Sequence, residues 1–163
     1  QEVSRISSDL RTGVLDDLGL GPALKTLTED FSERTRITTE FETVVFRNRL
    51  DQEARIALYR IAQEALNNIE RHAKADNVHI SLKGHRNGAM LLIEDDGVGM
   101  HWPRPSRRKS RGLGLRNMIE RIEQLGGTLR IQSSMSGKTG TVIEAQVPLT
   151  HMLSPQKKSK ETA

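Results

Sequence analysis

The sequence predicts an α+β domain in which mixed strands pack with helices, and three observations carry that expectation. Residues 90–93 (Met-Leu-Leu-Ile) are a bulky apolar run bounded by turn formers, the pattern of a buried strand. Residues 51–74 place Leu58, Ile61, Ala62, Ala65 and Ile69 on one helical face, with Asp51 suited to cap the start. Two further strand pairs carry turn signals between them: 78–83 with 89–94 through Arg86-Asn87-Gly88, and 129–133 with 141–147 around Gly137-Lys138-Thr139-Gly140. At 163 residues the chain fits one domain with short appendages.

Taken in order, residues 1–11 carry Val3, Ile6 and Leu10 at helical spacing, a narrow stripe that reads as the end of a helix packing on a partner. Residues 13–22 form an apolar linker with glycine turns. Pro22 suits the first turn of a helix over 22–35 that places Leu24, Leu27 and Phe31 on one face. Residues 37–45 partly alternate and are rich in β-branched side chains, hence a strand. After the long helix and the hairpin comes a proline-containing basic loop, 101–111. Gly112-Leu113-Gly114-Leu115 opens a helix with Leu115, Met118, Ile119 and Ile122 inward, and Gly126-Gly127 stops it near Leu125. The tail from 150 to 163 is rich in Lys, Ser and Gln and reads as disordered. The expected division is therefore 1–20 helix end and linker, 21–149 folded domain, 150–163 tail.

The net charge of +4 resides outside the body of the domain. Arg104, Arg107, Arg108, Lys109 and Arg111 contribute +5 and residues 157–163 a further +2, so the rest stands at −3. A mildly acidic body with its basicity in one loop and one tail is not a nucleic-acid-binding face. With no cysteine there are neither disulfides nor thiolate metal sites. No apolar stretch approaches membrane-spanning length, and no signal peptide is visible.

Chemistry concentrates where the strand 90–93 runs into Glu94-Asp95-Asp96-Gly97-Val98-Gly99-Met100. A carboxylate at the rim of a core strand can accept a charge-assisted hydrogen bond from an exocyclic amine. Glycines one residue apart let a flat ligand approach the main chain. On the long helix, Glu64, Asn68 and Arg71 form a polar row beside the buried stripe; Asn68 is an unusual mid-helix residue whose amide oxygen suits a hydrated Mg²⁺ bridging phosphates. The helix start at Gly112-Leu113-Gly114 offers free amides and a dipole to phosphate oxygens. Neither the P-loop pattern nor the dinucleotide fingerprint is present, since Asn117 stands where the last glycine of the latter would be.

The order Glu64-x-x-x-Asn68, Asp95-x-Gly97-x-Gly99, Gly112-x-Gly114-Leu115 and Gly140-Thr141 resembles the Bergerat ATP-binding fold shared by gyrases, heat-shock chaperones, histidine kinases and mismatch-repair ATPases. Leu15-Asp16-Asp17-Leu18-Gly19-Leu20 and Arg60-Ile61-Ala62-Gln63-Glu64-Ala65-Leu66 are similar to the sensor histidine kinases of the nitrate-sensor and desaturase-sensor subgroup. The resemblance, over roughly 1–149, implies a two-layer α/β sandwich with a mixed, mostly antiparallel sheet. It implies Asp95 on the adenine amine, Gly97, Gly99, Met100 and Thr141 around the nucleotide, and Asn68 on Mg²⁺. It further implies Arg71 near phosphate, Gly112, Leu113, Gly114 and Leu115 at the phosphates, and residues 100–112 as a lid. In hydrolysing relatives the glutamate matching Glu64 activates water, whereas in kinases it orients the attacking histidine or a metal-bound water.

A histidine kinase needs a phosphoacceptor histidine followed by an acid. The five histidines here are followed by Ala73, Ile80, Arg86, Trp102 and Met152, so none fits. The resemblance then implies an ATP-binding catalytic domain that binds nucleotide without phosphorylating itself. Its partners would be the dimerisation and histidine-phosphotransfer module of a homodimeric parent, and a response-regulator receiver domain. Its place would be the cytoplasmic side of a bacterial sensor. Two other readings of the fold are an anti-sigma-factor-type serine kinase, which the 1–20 linker argues against, and a degenerate nucleotide-binding regulatory domain.

Neutralising Arg107, Arg108 and Lys109 together is expected to weaken ATP binding more than adenosine binding, because only the phosphates answer to that charge. Calorimetric titration of both ligands checks it, and an equal loss would contradict a phosphate-facing loop.

Overall fold

The computed structural model describes Leu15 and residues 19–44, 50–99, 113–133 and 140–149, with the backbone alone for 113–116. The expected N-terminal helix stripe, most of the linker, Met100, the basic loop 101–111, Gly112, the turn residues 137–139 and the tail lie outside the described residues. In chain order the elements are α1 (Leu20–Thr35), β1 (Thr38–Val44), α2 (Gln52–Asn68), β2 (Asn77–His85), β3 (Gly88–Asp95), α3 (Leu113–Gln124), β4 (Thr128–Ser133) and β5 (Thr141–Pro148).

Helix α1 begins at Leu20, two residues before the expected start. Leu20 is buried and Gly19, at φ 88°, turns the chain into the helix, so Pro22 falls inside the first turn, where a missing N–H costs nothing. Leu15 in the linker is also fully buried. Helix α2 starts as the sequence predicts: the Asp51 side chain accepts a hydrogen bond from the Ala54 amide at 2.7 Å. Its end differs from expectation. The α-helix stops at Asn68 and residues Ile69–Ala73 continue as a π-helical turn, closed by Lys74 in the left-handed conformation at φ 50°. Such wide turns concentrate at functional positions. Arg34 of α1 pairs with Glu70 in this turn, joining the two helix ends.

The sheet has five strands in the order β1-β2-β3-β5-β4; β1 and β2 run parallel and the other pairs antiparallel, the mixed, mostly antiparallel arrangement expected. The crossover from β1 to its parallel neighbour β2 is what α2 supplies. The predicted hairpin is present, with Arg86 and Asn87 as its two-residue turn and Gly88 already in β3.

Alternation decides which side chains meet the helices. Val78, Ile80 and Leu82 of β2, Ala89, Leu91 and Ile93 of β3, and Ile143, Ala145 and Val147 of β5 form one continuous buried face. All three helices cover it, contributing Leu24, Phe31, Leu58, Ile61, Ala62, Ala65 and Ile122. The opposite face carries polar groups, with Glu42 3.6 Å from both His79 Nε2 and Lys83 Nζ. One register position then matters for everything below: Asp95 continues the row Ala89, Leu91, Ile93, so a carboxylate closes an otherwise apolar line facing the helices.

Asp51→Ala is expected to destabilise the domain by about 1 kcal/mol, the usual worth of an N-cap. Urea unfolding checks it, and an unchanged midpoint would show that the cap is redundant.

Candidate functional site

Asp95 sits at the end of β3 directly opposite Thr141 of β5. Its Oδ1 accepts from the Gly97 amide at 2.9 Å, and it also accepts from the hydroxyl and the amide of the buried Thr141. Burial pushes the Asp95 carboxyl above its ordinary value, the hydrogen bonds from Gly97 and Thr141 oppose that, and the neighbouring Asp96 charge adds to it. A carboxylate has roughly four acceptor positions, so three inherited bonds leave room for one more donor. That is the valence an amine-bearing ligand needs.

Asp96, one residue on, falls on the other side of the strand's end and is exposed. Its Oδ1 accepts from the Asp76 and Asn77 amides, both at 2.9 Å, and its Oδ2 accepts from Asn77 Nδ2 at 2.7 Å. These bonds, that from the Asn77 side chain foremost, hold its carboxyl below the ordinary value. The turn is fastened on its far side too: the Val98 amide donates to the Ala73 carbonyl at 2.7 Å. Gly97 lies so close to Ala73 that a Cβ would stand 2.2 Å from that carbonyl oxygen. The room Gly97 leaves is therefore taken by the end of α2. Gly99, at φ 79°, and Gly140, at φ 128°, adopt backbone angles that side chains resist, and a Cβ on Gly140 would lie 2.0 Å from the Asp95 carbonyl oxygen.

On α2, Glu64 and Asn68 are half-buried and Arg71 is exposed within the π-helical turn, so the polar row expected of a regular helix is broken after Asn68. Glu64 lines a cleft of about 570 Å³ between α2 and α3, together with Arg60, Gln63, Asn67, Asn117 and Arg121. Neither Asn68, Asp95 nor Thr141 lines that cleft. The structure thus brings Asp95, Gly97, Gly99 and Thr141 together with the exit of α2 just past Asn68 and Arg71, and it turns Glu64 toward α3 instead. Leu113, Gly114 and Leu115 form the first turn of α3, where backbone amides lack helical partners. Met100 and Gly112 lie outside the described residues.

Among the described residues no group of three His, Asp or Glu side chains is arranged to hold a metal ion. Asn68, half-buried, has an amide oxygen, the hard kind of donor that Mg²⁺ accepts. Asp96, Asn77 and Asn67 were not singled out from sequence. The doubled aspartate was the available signal: alternation lets only one of two adjacent carboxylates face the core.

Residues 53–151 match the family model described as histidine kinase-, DNA gyrase B-, and HSP90-like ATPase. The chain is 44% identical to the sensor histidine kinase MctS of Rhizobium johnstonii, over 88% of this chain and 31% of that protein. It is 38% identical to the signal transduction histidine-protein kinase/phosphatase DegS of Brevibacillus brevis, over 91% of this chain and 37% of that one. The chain thus spans well under half the length of these curated relatives. Among solved structures, the Acinetobacter baumannii histidine kinase AdeS shares the fold with a TM-score of 0.63 at 18% identity, covering 90% of this chain and 78% of that one. No helix among the described residues is long and apolar enough to cross a membrane.

Two glycines separate packing from propensity. Gly97→Ala is expected to cost ~1–3 kcal/mol, because the new methyl overlaps the Ala73 carbonyl. Gly21→Ala, in α1 with nothing within 4 Å of the added carbon, is expected to be neutral or to gain up to about 1 kcal/mol. Thermal unfolding of both variants checks this, and equal melting temperatures would contradict the close approach.

Proposed function

Since the chain belongs to the family of histidine kinase-, DNA gyrase B- and HSP90-like ATPases, we propose that it is the ATP-binding catalytic domain of a two-component sensor histidine kinase. In this reading it transfers the γ-phosphoryl group of ATP to a histidine on a dimerisation module of the same protein. The parent is a homodimeric bacterial sensor, the domain works in the cytoplasm, and a response-regulator receiver domain takes the phosphoryl group onward. The observation that carries the reading is the half-buried Asp95, fastened by Gly97 and Thr141 with one acceptor position to spare, beside the exit of the helix that holds Asn68.

The chain's residues divide the work. Asp95 accepts the exocyclic amine of adenine, and Thr141 keeps its carboxylate aimed. Asn68 would offer its amide oxygen to Mg²⁺, and Arg71, Gly112 and the first-turn amides of α3 (Leu113, Gly114 and Leu115) face the phosphates. The chemistry such a Mg²⁺ would supply is neutralisation of phosphate charge, with Asn68 as the residue that would hold it. An imidazole nitrogen of the acceptor histidine bonds to the γ-phosphorus as the bond to the bridging oxygen breaks and ADP leaves. Glu64 borders the cleft by which that imidazole would approach and orients it. Little covalent chemistry falls to the protein, so positioning and charge neutralisation dominate.

Relatives named as a sensor histidine kinase, at 44% identity, and as a signal transduction histidine-protein kinase/phosphatase, at 38%, support this reading over an anti-sigma-factor-type serine kinase. The intact Asp95, Asn68 and glycine turns support it over a degenerate regulatory domain.

Asp95→Asn is expected to abolish MgATP binding, since an amide presents a donor where an acceptor is required; calorimetry with unchanged affinity would sink the pocket assignment. The pH dependence follows from the raised carboxyl. Its neutral form is favoured by burial, so this group's contribution to stability is complete below the ordinary value of 3.8 and is lost as pH rises through the higher folded value. Binding needs the ionised form and should therefore fall away in acid with a midpoint above 3.8.

A further inference from the structure

We propose that Asp96 is a positioning residue for nucleotide binding: its carboxylate clasps the connection between α2 and β2 to the turn after β3, and thereby sets where Asp95 stands relative to Asn68 and Arg71. The inference rests on the ATP-binding reading above and adds a residue to which that reading gives no role.

The clasp has two sides. On one, Asp96 accepts the two successive amides of Asp76 and Asn77 on Oδ1 and the Asn77 side-chain amide on Oδ2, while its own amide donates to the Asn77 carbonyl at 3.3 Å. On the other, the Val98 amide donates to the Ala73 carbonyl, against which Gly97 is packed. Between the two stands the Gly97 amide, the group that donates to Asp95 Oδ1. Moving Asp96 therefore moves the donor that aims Asp95. The same bonds hold the segment 73–77, which follows Asn68 and Arg71 through the π-helical turn. Within that segment Ala73 and Ala75 are buried in the core, Lys74 is left-handed, and the Asp76 carbonyl accepts from the Thr38 amide at 3.0 Å at the start of β1. An adenine-reading carboxylate on a strand and phosphate-reading side chains on a helix must be held in register across this gap, since displacements near 1 Å weaken such constellations severely.

Asp96 is exposed, so its hydrogen bonds contribute little to global stability beside the buried core; their yield is geometric. A surface aspartate that merely capped a turn would leave nucleotide affinity alone, and the two roles are separable by polarity. In Asp96→Asn the Oδ1 acceptor is retained, but a donor NH₂ group replaces Oδ2 and meets the donor NH₂ of Asn77. Adding Asn77→Asp reverses the second partner and restores a donor–acceptor pair, using a residue that the ATP-binding reading leaves off the nucleotide.

The test is calorimetric titration of MgATP into the 163-residue chain and its variants, with thermal unfolding measured in parallel. Asp96→Asn is expected to lose about three- to tenfold in affinity, the worth of one or two well-placed hydrogen bonds. Asp96→Asn combined with Asn77→Asp should return to within about twofold of the native chain. Asn77→Ala, which removes only the partner of Oδ2, should lose less than Asp96→Asn and supplies the reading should that variant not fold. Native affinity in both Asp96→Asn and Asn77→Ala would overturn the proposal. So would a double variant that regains its melting temperature but not its affinity. Failure of the native chain to bind MgATP would remove the nucleotide-binding reading itself and the positioning role with it.

Discussion

A carboxylate at the rim of a core is withdrawn from water and keeps its charge only where donors meet it, and the arrangement around Asp95 follows from that pair of demands. Asp95 meets the first by ending a row whose other members, Ala89, Leu91 and Ile93, are fully buried against the helices. It meets the second through the hydrogen bonds of Gly97 and Thr141, which oppose the upward push of burial on its carboxyl. Without the strand register the group would face solvent; without the donors nothing would oppose the upward push of burial. The position of β5 beside β3, which brings Thr141 opposite Asp95, is thus as much a part of the site as the carboxylate.

Two adjacent aspartates have divided the work by geometry alone. Strand alternation sends Asp95 inward and Asp96 outward, so burial raises one carboxyl while hydrogen bonds from Asn77 and Asp76 lower the other. The glycines around them serve the protein's own close approaches. Gly97 admits the end of α2 and Gly140 admits the backbone of β3, so the space that sequence reasoning assigned to a flat ligand is occupied first by chain on chain. Glycine in such a turn is a packing requirement before it is a binding one.

The helical layer makes two surfaces from one helix. The side of α2 toward the sheet supplies core residues, and its end supplies Asn68 and the π-helical turn. Its flank toward α3 lines a separate polar cleft that includes Glu64. One rigid helix thus leads into the contact with the turn after β3 and borders the cleft toward α3.

Much of this was legible in the sequence because local patterns are strong where one face is buried. An apolar run at 90–93 and the turn signals at 86–88 and 137–140 located the central strands, a capped apolar stripe located α2, and a strand ending in Asp-x-Gly-x-Gly marked the candidate site. The tail, the basic loop and Met100 remain sequence expectations. What the sequence left undetermined are relations between segments far apart in the chain. That Gly97 makes room for Ala73, that Asp96 clasps Asn77, and that Glu64 turns toward Asn117 and Arg121 depend on contacts no window of residues encodes. The π-helical turn was equally hidden, since buried Ile69 and Ala73 are spaced as an α-helix also allows. Composition and periodicity determined which elements form and which faces they bury. Only the tertiary structure decided which of two neighbouring carboxylates faces the core and which bonds to the segment before β2, because that choice is made by the partners each one meets.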